Sequence, residues 1–443
     1  MRKSSGQNPG RLPEATLIPR DRHSVSRKQL SKAALNVLYG LHKAGHEAYL
    51  VGGCLRDLLT GGQPKDFDVV TDATPEQIHA LFRRSRIIGR RFRLVHVRFG
   101  PEVIEVSTFR ALNPDADHAT SRTGREGQLL RDNAFGTIEE DALRRDFTIN
   151  ALYYNIADFC LHDYTGSMRD LEAGIIRLIG DPETRYREDP VRMLRAARFV
   201  AKLGFRLDPD TEAPIGKLSS LLRNVPPARL FDEVLKLFLT GHAEASLRAL
   251  RELELLDPLF PQTQEVLALG RESDPVLLHE AMRNTDRRIQ RGRPVTPAFL
   301  LAVLLWPPVR ELREQRIDAG EAPGPALNQA INEVLARQVE VVAIPRRFSS
   351  VMREIWTLQP RLARRHGRRA HDLLEHRKFR AAYDFLLLLE QSGEIEPGLG
   401  DWWTHFQQAD AQEREAMIGK LSGGGKSRKR RRRRPRKKPS ETQ

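Results

Sequence analysis

The sequence predicts an α+β protein, in which a mixed β-sheet with a few helices comes first and helices alone make up the rest. Two patterns lead to this prediction. Up to about residue 155, short segments of β-type residues alternate with stretches in which apolar positions have helical spacing. From Tyr186 onward, apolar residues recur mostly three and four positions apart, in runs that end at glycine or proline. The first part is typical of a compact catalytic domain.

The N-terminal elements follow in order along the chain. Residues 1–28 are polar, basic and rich in Gly, Pro and Ser, which predicts a disordered leader. Ser26 or Ser31 then caps a helix whose apolar positions lie along one face. The catalytic part, residues 29–155, continues with strands predicted at AYLVGG, DFDVV, RLVHVRF and VIEVSTF, and with a helix at PEQIHALF between the second and third of them.

The remainder is predicted to be helical from its amphipathic runs. The clearest are PVRMLRAARFVAKLGF, ARLFDEVLKLFLTG, AEASLRALREL, TPAFLLAVLLW and HRKFRAAYDFLLLLEQ. No fixed-period repeat links these runs, which argues against a solenoid.

Composition and length exclude several classes of protein. At 443 residues the chain has room for about two to four domains. No apolar run reaches the roughly 18 residues that cross a bilayer, and the N-terminus lacks the apolar stretch of a secretory signal. The only cysteines, Cys54 and Cys160, are too few for a disulfide framework or a zinc site. We therefore expect a cytoplasmic protein with no membrane partner.

The positive charge is concentrated at the C-terminal end. Between Lys426 and Lys438 there are eleven basic residues and no acid, and removing them from the net charge of +15 leaves +4 for everything else. Such a block repels itself, which predicts a disordered tail over residues 421–443. It also binds phosphates without reading sequence and with strong salt dependence. An anionic membrane or a localisation receptor is an alternative partner, but the rest of the chain favours nucleic acid.

A short stretch near the start of the sheet carries the clearest catalytic pattern. Gly52 and Gly53 follow an apolar run, Arg56 comes next, and Asp66 and Asp68 alternate in a β-type segment about ten residues later. Residues two apart in a strand point to one face, so the two carboxylates would lie side by side and suit a shared Mg²⁺. The glycines would let backbone N–H groups approach a triphosphate, whose charge Arg56 could meet. The alternative is a plain turn followed by a strand.

This layout predicts a nucleotidyl-transfer site. Transfer of a nucleoside monophosphate often needs a third carboxylate, for which the sequence offers two candidates. Glu105 lies in VIEVSTFR and could instead pair with Arg110, whereas Asp146 lies in LRRDFTIN and could instead cap a following helix. Geometry alone does not choose between them. Arg144 and Arg145, next to Asp146 at the edge of an apolar helix, suit a triphosphate and a ribose.

A second cationic face is predicted on one helix. Asp189 is expected to be its N-cap before Pro190 at the first helical position. Four basic residues then fall near one side, opposite an apolar face: Arg192, Arg195, Arg198 and Lys202. A solvated basic stripe on a core helix is the alternative, but guanidinium groups can also bind phosphates and base edges.

Six segments together resemble the bacterial poly(A) polymerase branch of the class II nucleotidyltransferases. They are GGCLRD at 52–57, DFD at 66–68, IIGRRFRLVHV at 87–97, EVSTFR at 105–110, RRDFTINALYYN at 144–155 and REDPVRMLRAARFVAKLGF at 187–205. The resemblance runs from about residue 25 to about residue 410. The nearest branch with another product is the tRNA CCA-adding enzymes. The basic segment GRRFRLVHV and the Arg/Lys-rich tail favour the poly(A) branch.

The resemblance implies a nucleotidyltransferase head followed by a helical neck at 156–240, which binds nucleotide and RNA, and an RNA-binding body and leg at 241–420. It implies that Asp66 and Asp68 hold catalytic Mg²⁺ and that Asp146 completes the acid set. The residues implied to bind nucleotide are Gly52, Gly53, Arg56, Arg144, Arg145, Asp189 and Arg192. Those expected to bind RNA are Arg195, Arg198, Lys202, Arg430, Arg431, Arg432, Arg433 and Arg434.

The function implied is template-independent addition of poly(A) to RNA 3′ ends from ATP, with release of pyrophosphate, which marks RNA for decay. ATP, RNA 3′ ends and RNA-decay proteins are the expected partners. Two other functions stay open at this point. One is CCA addition to tRNA, and the other is RNA binding without catalysis, which the intact Asp66, Asp68 and Arg56 argue against.

Overall fold

The computed structural model describes residues 12–89, 93–112, 122–123, 129–131 and 134–422. The strands are β1 (Thr16–Ile18), β2 (Ala48–Val51), β3 (Asp68–Thr71), β4 (Ser85–Ile88), β5 (Leu94–Phe99), β6 (Glu102–Thr108), β7 (Arg122–Thr123), β8 (Leu129–Arg131), β9 (Leu152–Asn155), β10 (Leu161–Asp163), β11 (Ile175–Ile176) and β12 (Arg206–Leu207).

The α-helices are α1 (Lys32–Lys43), α2 (Gly53–Leu59), α3 (Pro75–Leu81), α4 (Ile138–Arg144), α5 (Ser167–Ala173), α6 (Pro182–Glu188), α7 (Val191–Leu203), α8 (Pro209–Glu212), α9 (Ile215–Leu218), α10 (Pro227–Phe238), α11 (Ala243–Glu252), α12 (Pro261–Leu267), α13 (Ser273–Gln290), α14 (Pro297–Leu304), α15 (Trp306–Asp318), α16 (Pro323–Val341), α17 (Arg346–Leu362), α18 (Arg368–Leu374), α19 (Phe379–Gln391), α20 (Leu399–Gln408) and α21 (Ala411–Ser422). Short 3₁₀ turns lie at Arg20–Arg22, Arg27–Gln29, Thr148–Asn150 and Ser219–Asn224.

Eight strands form one mixed sheet in the order β1-β10-β9-β2-β3-β6-β5-β4. Only the β3–β6 pair in this sheet is parallel. The predicted mixed sheet is confirmed. Its register sets Val51, Asp68, Glu105 and His96 side by side on four adjacent strands. Side chains paired in this way share a face of the sheet, so the register collects polar groups next to the end of β2.

Helices cover the apolar residues of the sheet. The buried side of α1 supplies Ala34, Val37, Leu38 and Leu41, whose spacing follows the helical period. Another layer of the core consists of Tyr49, Val51, Val70, Phe109, Ile138, Ala142 and Tyr153, and so joins the sheet to α4. Burial of each large apolar side chain contributes roughly 1.5–3 kcal/mol. This layer therefore stabilises the sheet that carries Asp68, Glu105 and His96.

The predicted disordered leader is wrong for residues 12–28. β1 pairs antiparallel with β10 and extends the sheet. Val25 is fully buried, and His23 Nε2 lies 3.0 Å from the carbonyl oxygen of Phe159. Ser26 and Ser31 both act as caps, the first for the 3₁₀ turn at Arg27–Gln29 and the second for α1. The polar composition of residues 12–28 gives no indication of these few contacts, which depend on pairing with distant parts of the chain.

By its internal contacts the chain divides into two compact units. The first comprises residues 1–265, 282–294 and 337–344, and the second comprises residues 266–281, 295–336 and 345–443. The sheet belongs to the first unit. The region 156–240 is not all helical, because it contains β10 and the short parallel pair β11–β12. In the second unit, Trp356 on α17 donates its indole N–H to the carbonyl of Ala302 on α14 at 3.1 Å.

The helices predicted from the amphipathic runs are present as α7, α10, α11, α14 and α19. Within the described ranges, no helix combines the length and the apolar character needed to cross a bilayer.

Candidate active site

The site is built around a glycine turn at the end of β2. Gly52 has φ +85°, which favours glycine, and it is the N-cap of α2. A Cβ atom at this position would lie 3.6 Å from Oδ2 of Asp68 and 3.9 Å from Nη1 of Arg145. Gly52 therefore leaves open a space that a carboxylate and a guanidinium group approach. Gly53 opens α2, and a Cβ there would lie 3.2 Å from Nη2 of Arg56.

Asp68 is the carboxylate closest to this space. It is the first residue of β3, paired with Val51 on one side and with Glu105 on the other. Burial raises the pKa of Asp68 to about 6, with further increases from Glu105 and, more weakly, Asp66, while Arg145 opposes them. Several acids therefore act on one place, and a bound cation would relieve their repulsion.

Asp66 does not lie inside the strand as predicted. It precedes β3 by two residues and is exposed, and Phe67 between the two acids is buried. The segment enters the sheet only at Asp68, because Pro64 and the polar residues after it do not pair with β2. Asp66 and Asp68 are nevertheless near enough for the charge of one to affect the other.

The two candidates for the third acid lie in different surroundings. Glu105 is next to Asp68 on β6, and its Oε1 lies 3.2 Å from Nε2 of His96, so the partner of Glu105 in the structure is His96. Asp146 instead accepts hydrogen bonds from Arg195 Nε at 2.5 Å, from the Phe147 N–H at 2.8 Å and from Asn150 Nδ2 at 3.3 Å. The geometry thus brings Glu105 to Asp68 and joins Asp146 to Arg195.

The alternative pairing of Glu105 with Arg110 finds no support in the charges around Arg110. Among the described acids, Asp141 acts on the Arg110 guanidinium and opposes the lowering of the Arg110 pKa by burial. Asp141 also accepts a hydrogen bond from the Arg110 backbone N–H at 3.4 Å.

The charge state of Asp146 reflects its ion pair with Arg195. Burial by itself would raise the pKa of Asp146, but the Arg195 guanidinium and the hydrogen bonds lower it to about 2. No α-helix directly follows Asp146, and the N-cap of the 3₁₀ turn at Thr148–Asn150 is Phe147, contrary to the alternative that Asp146 caps a helix. The chain passes through the 3₁₀ turn into β9, whose tyrosines pair with β2 and β10.

Arg145 is held by two residues that the sequence did not single out. Its Nε donates to the Tyr153 hydroxyl at 2.8 Å, and its Nη2 donates to Oδ2 of Asp141 at 2.9 Å. The Tyr153 hydroxyl also donates to Asp141 at 2.7 Å. Tyr153 and Asp141 are both buried, and burial raises the pKa of Tyr153, so the phenol keeps its proton. The spacing of Asp141 and Arg145 on a helix was a usable signal, whereas the contact with Tyr153 depends on the fold.

A second network connects α2 with the segment after α4. Arg56 is buried; it donates from Nη1 to Oδ1 of Asn150 at 2.6 Å and from Nη2 to Asp57 at 2.7 Å. Asn150 in turn donates to Asp146. Since Arg56 is fully engaged with protein groups, it fixes the orientation of α2 and of the glycine turn at its start. Asn150 and Asp57 were not predicted.

The basic stripe on α7 contacts acidic side chains and does not form the freely solvated face considered for it. Arg195 pairs with Asp146, Lys202 Nζ lies 3.0 Å from Oδ2 of Asp57, and Arg198 Nη1 lies 3.7 Å from Glu233. These side chains are between 17 and 40% exposed. The three α7 residues among those predicted to bind RNA therefore contribute to contacts within the first unit, because each has a carboxylate within reach.

Several arginines converge near the start of α7. Arg192 Nη1 donates to the carbonyl of Arg185 at 2.6 Å and to Glu188 at 2.9 Å, and Arg185 Nη2 donates to the carbonyls of Arg144 and Arg145 at 2.6 and 2.7 Å. Burial, and then neighbouring guanidinium groups, lower the pKa values of Arg144 and Arg185 to about 10 each. An anion would reduce this repulsion. Arg185 and Glu188 were not predicted as site residues.

Asp189 lies at the junction of α6 and α7. The expected cap geometry is shifted by one residue, because α7 begins at Val191 with Pro190 at its N-cap position. Asp189 still accepts a hydrogen bond from the Val191 N–H at 3.3 Å, and its Oδ2 forms an ion pair with Arg229 at 2.7 Å. Asp189, between the two helices, and Arg192, in the first turn of α7, therefore lie close together in the chain.

The carboxylates near Gly52 suit a hard cation whose coordination shell is completed by oxygens of the substrate and by water. In the part of the chain that the structure describes, no group of three or more His, Cys, Asp or Glu side chains is arranged to hold a metal ion. Mg²⁺ usually takes one or two protein carboxylates and completes its shell with phosphate oxygens and water. Asp68, with Asp66 nearby, fits this mode. Arg430 to Arg434, predicted to bind RNA, lie outside the described residues.

Comparison with known proteins identifies relatives along almost the whole chain. Three family models match: "Poly A polymerase head domain" over residues 48–177, "Probable RNA and SrmB- binding site of polymerase A" over 204–267, and "Polymerase A arginine-rich C-terminus" over 319–438. The chain is 51% identical to Poly(A) polymerase I of Salmonella typhi over 416 residues, which cover 92% of this chain and 89% of the relative. It is 46% identical to Poly(A) polymerase I of Haemophilus influenzae, with 91% of each chain covered.

Enzymes of the other branch are more distant. The CCA-adding enzyme of Bacillus subtilis is 39% identical over 226 residues, which cover 51% of this chain and 55% of the relative. Among solved structures, the Thermotoga maritima CCA-adding enzyme complexed with tRNA matches with a TM-score of 0.55 at 21% identity, covering 92% of this chain and 85% of that one. The structural likeness concerns the fold alone.

Proposed function

The chain belongs to the bacterial poly(A) polymerase family, and on that premise we propose that it adds adenylate from ATP to RNA 3′ ends without a template and releases pyrophosphate. One observation carries the proposal. Asp68 and Arg145 approach the same open space beside Gly52, where a Cβ would lie 3.6 and 3.9 Å from them. A carboxylate for a cation, a guanidinium group for a phosphate and a glycine that admits the backbone are the groups that nucleotidyl transfer requires.

Each residue has a role in this proposal. The N–H groups of the turn at Gly52 and Gly53 bind triphosphate oxygens, and Arg145, oriented by Tyr153 and Asp141, offers its free edge to a phosphate. Arg144, Asp189 and Arg192 are proposed to contact the remaining nucleotide groups, since Arg185 links Arg192 to the backbone carbonyls of Arg144 and Arg145, and Arg56 keeps α2 in place. When bound, Mg²⁺ at Asp66 and Asp68 would neutralise the phosphates and make the 3′-hydroxyl of RNA a better nucleophile.

The geometry supports Glu105 as the acid that acts together with Asp68. Glu105 is its neighbour in the sheet, and its charge raises the pKa of Asp68. Asp146 is instead proposed as a positioning residue, because it holds Arg195 on α7 and, through Asn150, Arg56 on α2. The catalytic role implied for Asp146 remains a prediction, and substitutions at Asp146 and Glu105 can separate it from a positioning role.

The experiment that tests the function supplies the purified protein with each of the four NTPs and a generic RNA. Long tails made only of A are expected, with the Asp68→Asn protein as the inactive control. Use of CTP limited to tRNA ends would instead support CCA addition, which the half-length match to CCA-adding enzymes keeps as the second candidate. RNA binding without any incorporation would support a non-catalytic protein.

The setting of the reaction is also proposed. ATP and RNA 3′ ends are the substrates, so we place the activity in the cytoplasm, where both are available. A role in marking RNA for decay, and contacts with RNA-decay proteins, remain predictions.

A further inference from the structure

The turn between α17 and α18 carries an unusual density of positive charge. Residues 361–369 contain five arginines and no acid: Arg361, Arg364, Arg365, Arg368 and Arg369. We call this segment the arginine turn. α17 ends at Leu362, α18 begins at Arg368, and Gly367 at φ +60° reverses the chain between them. The chemistry of the candidate active site uses none of these residues.

The charges of the arginine turn face solvent and are largely unneutralised. Arg361, Arg364, Arg368 and Arg369 are exposed, and Arg365 is half-buried. Among the described residues, only Arg368 has an ion-pair partner, Asp372 at 3.6 Å, and the two side chains are 92 and 58% exposed. Such an exposed pair contributes little stability. The turn therefore presents a surplus of guanidinium groups that the fold of the second unit does not need.

The turn is nevertheless held in a defined place. The Arg365 guanidinium lies over the ring of Trp402 at 5.1 Å, and Trp402 stacks on Phe406 with centroids 4.6 Å apart. Trp403 donates its indole N–H to the carbonyl of Leu362 at 3.1 Å. Leu362, within the turn, and Ala370, directly after it, are buried in the same apolar cluster as Trp403 and Phe406. A backbone fixed at both ends loses less conformational entropy when its side chains bind a ligand.

We propose that the arginine turn binds the sugar-phosphate backbone of the RNA substrate. Guanidinium groups match phosphate oxygens in pairs, and several of them on one turn can follow a single strand without reading its bases. This inference rests on the proposed function, which supplies RNA as the polyanion. A lipid surface suits the turn less well, because its only large apolar side chain, Leu362, is buried and membrane-surface segments need exposed apolar side chains.

The test measures binding of a labelled oligoadenylate to the full-length protein by fluorescence anisotropy over a series of salt concentrations. The variant carries Arg361→Gln, Arg364→Gln, Arg368→Gln and Arg369→Gln. If these four bind phosphates, the slope of log Kd against log salt should fall by about 3, and Kd should rise about tenfold or more at moderate salt. The KM for ATP and the turnover at saturating RNA should not change, because nucleotide selection belongs to the head.

Two controls make the outcome specific. Arg83→Gln, Arg84→Gln, Arg291→Gln and Arg293→Gln remove the same charge from exposed positions elsewhere and should change the slope by less than about 1. Replacing the four turn residues by lysine keeps the charge and should preserve most of the slope, which excludes misfolding as the cause.

Equal slopes for the turn variant and the dispersed control would overturn the inference. The inference would also be overturned if the turn variant bound RNA normally but, unlike the parent protein, failed to bind anionic phospholipid vesicles. That result would assign the turn to a membrane. Failure of the proposed function is a different result, since a protein that adds no adenylate would still give a readable salt slope.

Discussion

Asp68 is the residue at which sheet register, burial and charge combine. The register places it between the end of β2 and Glu105, and burial with the nearby acids raises its pKa to about 6. A carboxylate whose charged form is disfavoured in this way binds a cation readily, because the cation restores what burial and repulsion remove. Substitutions of single carboxylates in and near this site should therefore have distinguishable effects.

Asp66→Asn and Asp68→Asn should each abolish adenylate transfer while the protein stays folded. Each change removes ligand charge worth several kcal/mol in the transition state, so a loss of at least about a hundredfold in kcat is expected. The measurement is the steady-state rate of ATP incorporation into RNA, with thermal unfolding as the check on folding. Activity within about tenfold of the parent protein in either variant would contradict the two-carboxylate site.

Asp68→Asn should also change how stability depends on pH. The pKa of Asp68 is higher in the folded protein than in the unfolded chain, so native Asp68 costs stability as the pH rises from about 4 to about 6. In metal-free buffer the variant should therefore be more stable than the parent at pH 7, by up to about 3 kcal/mol. The difference should vanish near pH 4. Lower stability of the variant at pH 7 would show that the carboxylate has a structural partner.

Glu105→Gln and Asp146→Asn should differ in the property that they damage. Glu105→Gln is expected to change the Mg²⁺ concentration needed for half-maximal activity, because it alters the field at Asp68, with little effect on unfolding. Asp146→Asn leaves Arg195 without its carboxylate and should lower the free energy of unfolding by about 2 kcal/mol at neutral pH.

The pH dependence identifies the Asp146 effect. The pKa of Asp146 is lowered in the folded state to about 2, so its contribution is present above about pH 4 and is lost as the pH falls toward 2. The stability difference between parent and Asp146→Asn should shrink over this range. If Asp146→Asn keeps normal stability yet loses more turnover than Glu105→Gln, Asp146 is the catalytic acid that the family resemblance implied.

At the scale of elements, the segment from α4 to β9 shapes the site. α4 ends at Arg144, and β9 returns Tyr153 to the end of α4, where it meets Asp141 and Arg145. The i,i+4 pair alone would hold Arg145 loosely. The added hydroxyl fixes the guanidinium group so that Nη1 approaches Gly52 and Asp68.

Tyr153→Phe should therefore weaken ATP binding with little effect on RNA binding. Losing the hydroxyl removes an acceptor for Arg145 and a donor for Asp141, so the KM for ATP should rise about tenfold while the KM for RNA stays near that of the parent. Tyr164→Phe is the matched control, because Tyr164 packs edge-on against Tyr153 at 5.9 Å and its hydroxyl forms no hydrogen bond among the described residues. An equal rise in both KM values would indicate a general structural defect.

Elements with strong local patterns could be predicted, and those defined by distant pairing could not. The helices of the C-terminal part and the strands β5 and β6 carry their period in the sequence. β1 is three residues long in a polar stretch, and β9 follows an apolar run that suited a helix, so pairing with β10 and β2 decides both. The same holds in the site. Gly52 and Asp68 could be singled out from their residue pattern, whereas Tyr153, Asn150 and Glu188, although they lie in the segments quoted above, acquire roles only through contacts across the fold.

At the scale of the whole molecule, the proposed roles assign nucleotide choice and much of the RNA affinity to different parts of the chain. The groups that could select ATP lie in the first unit, and the arginine turn lies in the second. Of the net charge of +15, eleven positive charges lie in the basic tail between Lys426 and Lys438. Fixed donors and acceptors read a base, whereas a surplus of cations gathers phosphates irrespective of sequence. This division leads to a test with the tail.

Deleting residues 423–443 should weaken RNA binding and its salt dependence much more than it changes the choice of nucleotide. The deletion removes eleven cations between Lys426 and Lys438, and the salt slope falls with every phosphate that the protein no longer neutralises. At low salt and saturating RNA, the shortened protein should keep its ATP preference and near-normal turnover. At high salt its RNA affinity should approach that of the full chain, because screening removes the contribution of the tail there anyway.

A full-length variant with the tail arginines changed to glutamine should behave like the deletion, since charge and not chain length is responsible. Free incorporation of CTP or UTP, or inactivity at saturating RNA, would place the tail in the active site and refute the division.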